Sequence, residues 1–213
     1  MYYYGKGVEQ NYEEAVKWYE KSAEQGHAIA QYSLGTIYHS GKGVEKNLEE
    51  AEKWYRKSAE QGYSDGQNAL GFMYYNGKGV EKNLEEAVEW YQKSAEQGHV
   101  AAQCSLGIIY HSGKGVEKNL KEAEKWYRKA AEQGNVEAQS KLGIMYYNGE
   151  GGQKNFIEAA KWCRKAAEQG NVEAQSILGT MYFYGEGVGR NLREAEKWYM
   201  KAMEQGGVEI LSR

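Results

Sequence analysis

Apolar positions recur at helical spacing along the chain, and the pattern alternates between two kinds of helix. Ala30, Leu34, Ile37 and Tyr38 lie three or four residues apart, which places them on one face of a helix from about residue 28 to 40. A second apolar series begins at Leu48 and ends before a glycine at position 62, so it predicts a second helix. The pattern therefore indicates an all-helical chain built from helix pairs.

The helix pair repeats at a fixed interval. All six tryptophans recur every 36 residues, as from Trp54 to Trp90, and the pair Leu34-Gly35 recurs in the same register. We interpret residues 1–213 as one solenoid domain, because stacked copies bury faces that one pair leaves open. It comprises a partial repeat 1–26, full repeats 27–62, 63–98, 99–134, 135–170 and 171–206, and the truncated start of a further repeat at 207–213.

Three features of each copy have a structural explanation. Asn47 and Glu50 have the spacing of a capping box, in which each side chain binds the backbone N–H of the other residue. A mid-helix glycine costs about 1 kcal/mol relative to alanine. We therefore expect Gly35 to admit a close neighbour, either Trp54 or Tyr55. The equivalent glutamines do not vary between copies, and we interpret them as structural hydrogen-bonding residues: Gln31, Gln67, Gln103, Gln139 and Gln175.

The unit resembles the Sel1-like repeat, a relative of the tetratricopeptide repeat. The residues that carry the resemblance are Ala30-x3-Leu34-Gly35-x2-Tyr38-x2-Gly41-x-Gly43-Val44-x2-Asn47-x3-Ala51-x2-Trp54-Tyr55-x3-Ala59-x-Gln61-Gly62. The resemblance implies an all-α fold, a right-handed α-solenoid superhelix of antiparallel helix pairs. It also implies a protein–protein interaction scaffold or adaptor, with the first helix of each pair on the concave side.

Positions beside the apolar stripe of the first helix differ between copies, which is where a peptide or protein partner would be distinguished. One register position is occupied by aromatic or imidazole rings in every copy, and such rings are good anchors. The same position is equally explained as half-buried packing between repeats. The candidate partner-binding residues are Tyr32, Thr36, His39, Asn68, Phe72, Tyr75, Asn76, Cys104, Ile108, His111, Ile144, Tyr147, Asn148, Thr180, Phe183 and Tyr184.

Composition and motifs argue against several other classes of protein. The 27 basic and 30 acidic residues give a net charge of −3, without the basic excess typical of nucleic-acid binders. The Gly41-Lys42-Gly43 loop lacks the spacing of a phosphate loop. Cys104 and Cys163 form no disulfide framework, and we interpret both as structural. We expect no catalytic residue, no cofactor and no metal site.

Two other functions stay open beside the adaptor. One is a purely structural or consensus-like array without a selected ligand. A remote one is weak β-lactam binding or hydrolysis, which the resemblance implies only for a cysteine-rich branch of the family. No apolar run is long enough to span a bilayer, so a complete chain would be cytoplasmic. The ends carry no polar capping repeat, so the chain is either a fragment or self-associates end to end.

Overall fold

A computed structural model describes residue 7 and residues 9–206 of the chain. The truncated repeat assigned to 207–213 and the first residues of the partial repeat lie outside this range. Within it every regular element is a helix, and none of the helices is both long and apolar enough to cross a membrane. The helices are α1 (Tyr12–Glu24), α2 (Ala28–Ser40), α3 (Leu48–Glu60), α4 (Ser64–Asn76), α5 (Leu84–Glu96), α6 (Val100–Ser112), α7 (Leu120–Glu132), α8 (Val136–Asn148), α9 (Phe156–Glu168), α10 (Val172–Tyr184) and α11 (Leu192–Gly206).

The chain divides into two compact units, 1–103 with 114–116 and 104–113 with 117–213. In the first unit each helix from α1 to α5 packs on the next, and the first helices α2 and α4 also touch. In the second unit α7 to α11 pack in the same succession, and α8 touches α10. This succession of helix pairs confirms the all-α solenoid architecture expected from the period.

The helix ends follow the sequence, with one correction. Asn47 caps α3, its Oδ1 accepting the Glu50 N–H at 3.0 Å, and Gly41 ends α2 in the left-handed conformation at a φ of 75°. The predicted bond from the Asn47 N–H to the Glu50 carboxylate is wrong, because the Asn47 N–H donates to the Tyr38 carbonyl at 3.0 Å. The Glu50 carboxylate binds Lys53 at 2.6 Å instead.

Close packing within a pair depends on the mid-helix glycine. A Cβ placed on Gly35 would lie 2.7 Å from Cδ1 of Tyr55, so Tyr55 is the neighbour that the missing side chain admits. Trp54 is only partly buried, and Lys57 Nζ lies 4.0 Å from its ring centroid. In the second unit the sulfur of Cys163 occupies the corresponding space beside Gly143.

The glutamines join consecutive pairs. Gln67 is 5% exposed, and its Nε2 donates to the Ala59 carbonyl of the preceding helix at 3.2 Å. Its Oε1 accepts from Gln97 of the following helix at 2.7 Å. In the second unit Gln139 makes the same two bonds, to Ala131 and from Gln169. The expectation that these residues are structural is confirmed for Gln31, Gln67 and Gln139, whereas Gln175 makes the bond to Ala167 and its Oε1 has no hydrogen-bond partner within the described residues.

The packing at Gly35 predicts the effect of adding one methyl group. Overpacking of a core costs about 1–3 kcal/mol, and alanine recovers about 1 kcal/mol of helix propensity. We expect Gly35→Ala to lower the free energy of unfolding by about 1 kcal/mol, measured by urea denaturation. Gly152→Ala is the control, because Gly152 has open space around its Cβ position. Equal effects of the two substitutions would contradict the close approach.

The glutamine bonds predict a cost for an apolar side chain at the same site. Gln67→Leu removes the side-chain partners of the Ala59 carbonyl and of Gln97, which we expect to cost about 1–3 kcal/mol of unfolding free energy. Gln92→Ala, at an exposed position of α5, should change it by less than about 0.5 kcal/mol. Circular dichroism during urea unfolding measures both, and a stable Gln67→Leu variant would show that the bonds are dispensable.

Candidate partner-binding face of the first helices

In the first unit the candidate residues lie on α2 and α4, on the sides that their buried leucines leave free. Tyr32 is half-buried, with its ring centroid 5.7 Å from Tyr55 and 5.6 Å from Tyr63. Thr36 is also half-buried, and its hydroxyl accepts from the Tyr55 hydroxyl at 3.3 Å and donates to the Tyr32 carbonyl at 3.0 Å. These two side chains are therefore engaged in packing inside the repeat.

The ring position of α2 meets the following repeat. His39 lies edge-on to Phe72 of α4, with 6.5 Å between ring centroids, and Lys78 Nζ lies 5.0 Å from the Phe72 centroid. Burial lowers the pKa of His39, and the nearby positive charges of Lys78 and Lys46 lower it further. The Nε2 atom of His39 is buried without a hydrogen-bond partner.

The remaining residues of α4 differ in how far they reach solvent. Phe72 is 39% exposed and Asn76 is exposed, with its side-chain amide donating to the Phe72 carbonyl at 2.8 Å. Asn68 and Tyr75 are half-buried, and the Tyr75 ring lies 6.5 Å from that of Tyr91. Phe72 is thus the most exposed ring among the candidate residues of α4.

In the second unit one candidate residue is buried and so does not belong to the exposed surface. Cys104 is 4% exposed, and burial, chiefly, raises the pKa of its thiol to about 12. A partner cannot contact this side chain on the surface, so its assignment to the binding face is corrected. The register position points into the helix packing in this copy, whereas Ile108 and Ile144 beside it are half-buried.

His111 differs from His39 although both occupy the same register position. Its Nε2 lies 2.5 Å from Oε2 of Glu150, and Oε1 of Glu150 accepts from Asn148 at 2.9 Å. Burial would raise the pKa of Glu150, but the bonds from His111 and Asn148 outweigh burial and lower it. His111, Asn148 and Glu150 therefore form a hydrogen-bonded cluster within the chain.

The last two repeats carry the most exposed rings of this face. Phe183 is 43% exposed and Tyr184 is 66% exposed, and their ring centroids are 5.0 Å apart. Tyr147 is half-buried against Phe156, and burial together with a hydrogen bond to Glu186 raises its pKa to about 12. Thr180 is half-buried and hydrogen-bonded to Tyr199 at 2.9 Å.

A family model identifies the repeats. The Sel1 repeat model matches residues 1–27, 28–63, 64–99, 100–135, 136–171 and 172–207. The chain belongs to the Sel1 repeat family. Its repeats are offset by one residue from the boundaries drawn above, and they confirm the resemblance on which the fold class was based.

Solved structures of other Sel1 repeat proteins match this one closely. A protective antigen of uropathogenic Escherichia coli is 38% identical with a TM-score of 0.93, over 96% of this chain and 44% of that protein. A Sel1 repeat protein from Oxalobacter formigenes is 39% identical with a TM-score of 0.84, over 92% of this chain and 78% of the other. This chain thus spans less than half the length of the E. coli protein.

A third structure belongs to a cysteine-rich protein. Helicobacter pylori cysteine-rich protein B is 30% identical with a TM-score of 0.51, over 65% of this chain and 99% of that one. Here both cysteines, Cys104 and Cys163, are buried free thiols. A search of curated proteins found no match.

Sequence reasoning missed a polar cluster in this Sel1 repeat protein, formed between a second helix and the first helix of the next repeat. Arg56 binds Glu52 with 2.7 Å between Nε and Oε1, donates to the Tyr74 hydroxyl, and lines an open cleft with Glu86. In the second unit Arg128 binds Glu124 and the Tyr146 hydroxyl in the same way. The signal was present as Glu and Arg four residues apart in alternate copies, a spacing that pairs charges on a helix.

No metal centre accompanies these clusters. Across the described residues, no three His, Cys, Asp or Glu side chains are grouped as ligands of one ion would be. The chemistry available on the first-helix face is therefore that of aromatic rings, hydroxyls, amides and separate charges. Such groups recognise a partner's side chains and backbone.

The Glu150 cluster predicts a pH-dependent contribution to stability. The folded-state pKa of Glu150 lies below its ordinary value of 4.5, so its contribution is complete above pH 4.5 and is lost as the pH falls through the folded pKa. We expect Glu150→Gln to lower the free energy of unfolding by at most about 1 kcal/mol at pH 7, and by less at pH 3. Urea unfolding at both pH values tests this. Glu132→Gln, at an exposed position, is the control, and a Glu150→Gln effect that does not shrink at pH 3 would contradict the assignment.

Proposed function

We propose that this chain is a protein-interaction adaptor that binds a peptide or protein partner on the first-helix face. Sel1 repeat proteins are commonly interaction scaffolds, and this chain has their repeats along its length. The observation that supports the face is the contrast within single helices. On α4 Leu70, which is the same in every copy, is buried, whereas Phe72, at a position that is Thr, Phe or Ile in the different copies, is exposed.

Exposed aromatic rings are the feature that favours partner binding over a purely structural array. Burying a large ring in a partner gains apolar contact at little cost in side-chain entropy, which makes such residues frequent hot spots. Phe72 in the first unit and the Phe183–Tyr184 pair in the second are available for this. Tyr75 and Tyr147 contribute less accessible surface, because Tyr91 and Phe156 cover one side of each ring.

Thiol chemistry has little support as an alternative. Burial raises the pKa of both Cys104 and Cys163 to about 12, whereas a nucleophilic cysteine needs an accessible thiolate near neutral pH. Both side chains also fill space between helices. Binding through the exposed rings therefore remains the function with the most direct physical support.

The proposal is tested by selecting binders and then removing the exposed rings. A displayed library of random peptides is selected against the purified chain, and the affinity of each selected peptide is measured by fluorescence anisotropy. We expect Phe72→Ala, or the double change of Phe183 and Tyr184 to Ala, to weaken a selected peptide about tenfold or more. The thermal melt should stay close to that of the wild type, because these rings are exposed.

The control is an exposed apolar residue away from the proposed face. Ile157 lies on the second helix α9 and is 73% exposed, so Ile157→Ala removes apolar surface away from the proposed face. It should leave the affinity unchanged. Selection of no binder, or equal losses for Ile157→Ala and the ring variants, would refute a specific first-helix site.

A further inference from the structure

Two histidines at the same register position are in opposite electrostatic surroundings. The residue thirty-nine positions after each lies in the next repeat's loop, between two glycines: Lys78 after His39 and Glu150 after His111. In the second unit the Glu150 carboxylate binds Nε2 of His111 at 2.5 Å. In the first unit Nε2 of His39 is buried and has no hydrogen-bond partner.

We propose that the α2–α4 face of the first unit binds a carboxylate of an acidic peptide, which pairs with Lys78 and His39 beside the Phe72 ring. This inference rests on the proposed function and names the chemistry of the partner. The carboxylate takes the role that Glu150 takes internally in the second unit. In the second unit the histidine thus binds a carboxylate of its own chain, whereas in the first unit the carboxylate comes from the partner.

The local charges favour an anion. Lys42, Lys46 and Lys78 are exposed, and none of them is ion-paired within the described residues. The loop 41–47 holds two of these lysines against one acid, Glu45. An acidic side chain from outside therefore meets positive charge that the chain itself leaves uncompensated.

The buried imidazole nitrogen supplies a reason for specificity. A buried polar atom without a partner costs free energy, which a ligand recovers by providing the missing hydrogen bond. Lys78 is exposed, and its ammonium lies 5.0 Å from the Phe72 ring centroid, within reach of a carboxylate bound beside that ring. Phe72 then offers apolar contact to the neighbouring residue of the peptide. Burial and two positive neighbours hold the pKa of His39 down, and an arriving carboxylate should raise it.

The test uses two labelled peptides that differ only in charge, Glu-Glu-Phe-Glu-Glu and Gln-Gln-Phe-Gln-Gln. We expect fluorescence anisotropy on the full chain to show about tenfold tighter binding of the acidic peptide, decreasing with added salt. NMR titration of the His39 ring should show its pKa rise when the acidic peptide is bound. Equal affinity for the two peptides, or no binding of either, would overturn the inference.

Two charge reversals convert one unit into the other. Lys78→Glu places a carboxylate where Glu150 lies in the second unit, so it should raise the pKa of His39 without peptide and weaken the acidic peptide about tenfold. Glu150→Lys should create a second site, seen as a stoichiometry of two rather than one. Lys121→Glu, an equal charge change at an exposed position of α7, should do neither.

The outcomes separate this inference from the proposed function. If Lys78→Glu leaves acidic-peptide binding unchanged, the carboxylate is bound elsewhere and the inference is wrong. If library-selected peptides still lose affinity on Phe72→Ala in that case, the first-helix face stands as a binding site with another specificity. If no selected peptide depends on the exposed rings, the proposed function fails on its own test.

Discussion

The buried glutamine of each first helix is the interaction on which the repeat architecture depends. Gln67 joins the carbonyl of Ala59 in the helix before it to the side chain of Gln97 in the helix after it. One side chain thus joins three successive helices. It needs both the donor and the acceptor of its amide to make the two bonds. These bonds tie each first helix to the second helices before and after it, and they use a side of the helix other than the one that carries Phe72.

The architecture was predictable because it is set by local, repeated signals. Gly41 and Asn47 mark a helix end and a helix start by backbone preferences that need no tertiary context. Because these residues recur with the 36-residue period, a correct prediction of one helix pair also predicts the other pairs. The capping box failed where tertiary context enters: the Asn47 N–H is taken by the Tyr38 carbonyl, so the Glu50 carboxylate is left to pair with Lys53.

The binding face was less predictable, because exposure depends on neighbours that the period does not specify. Cys104 shares a register position with the half-buried Tyr32 and yet is buried. The short cysteine side chain fits inside the helix packing, whereas a tyrosine ring is long enough to reach the surface. Phe72 and Tyr75 are both aromatic, but only Phe72 reaches solvent substantially. The sequence therefore gives the register positions of the candidate residues, whereas the exposure of each ring depends on packing that the repeat pattern does not specify.

The two histidines show that the surroundings of a ring on a first helix depend on the following repeat. The segments 41–57 and 113–129 are nearly identical, and the helices that carry His39 and His111 share most of their residues. The loop position thirty-nine residues later differs in charge, a lysine after His39 and a glutamate after His111, and the Glu150 carboxylate binds Nε2 of His111. The surroundings of each ring are thus made by two consecutive copies, because a loop residue of the later copy sets the charge beside the ring of the earlier one.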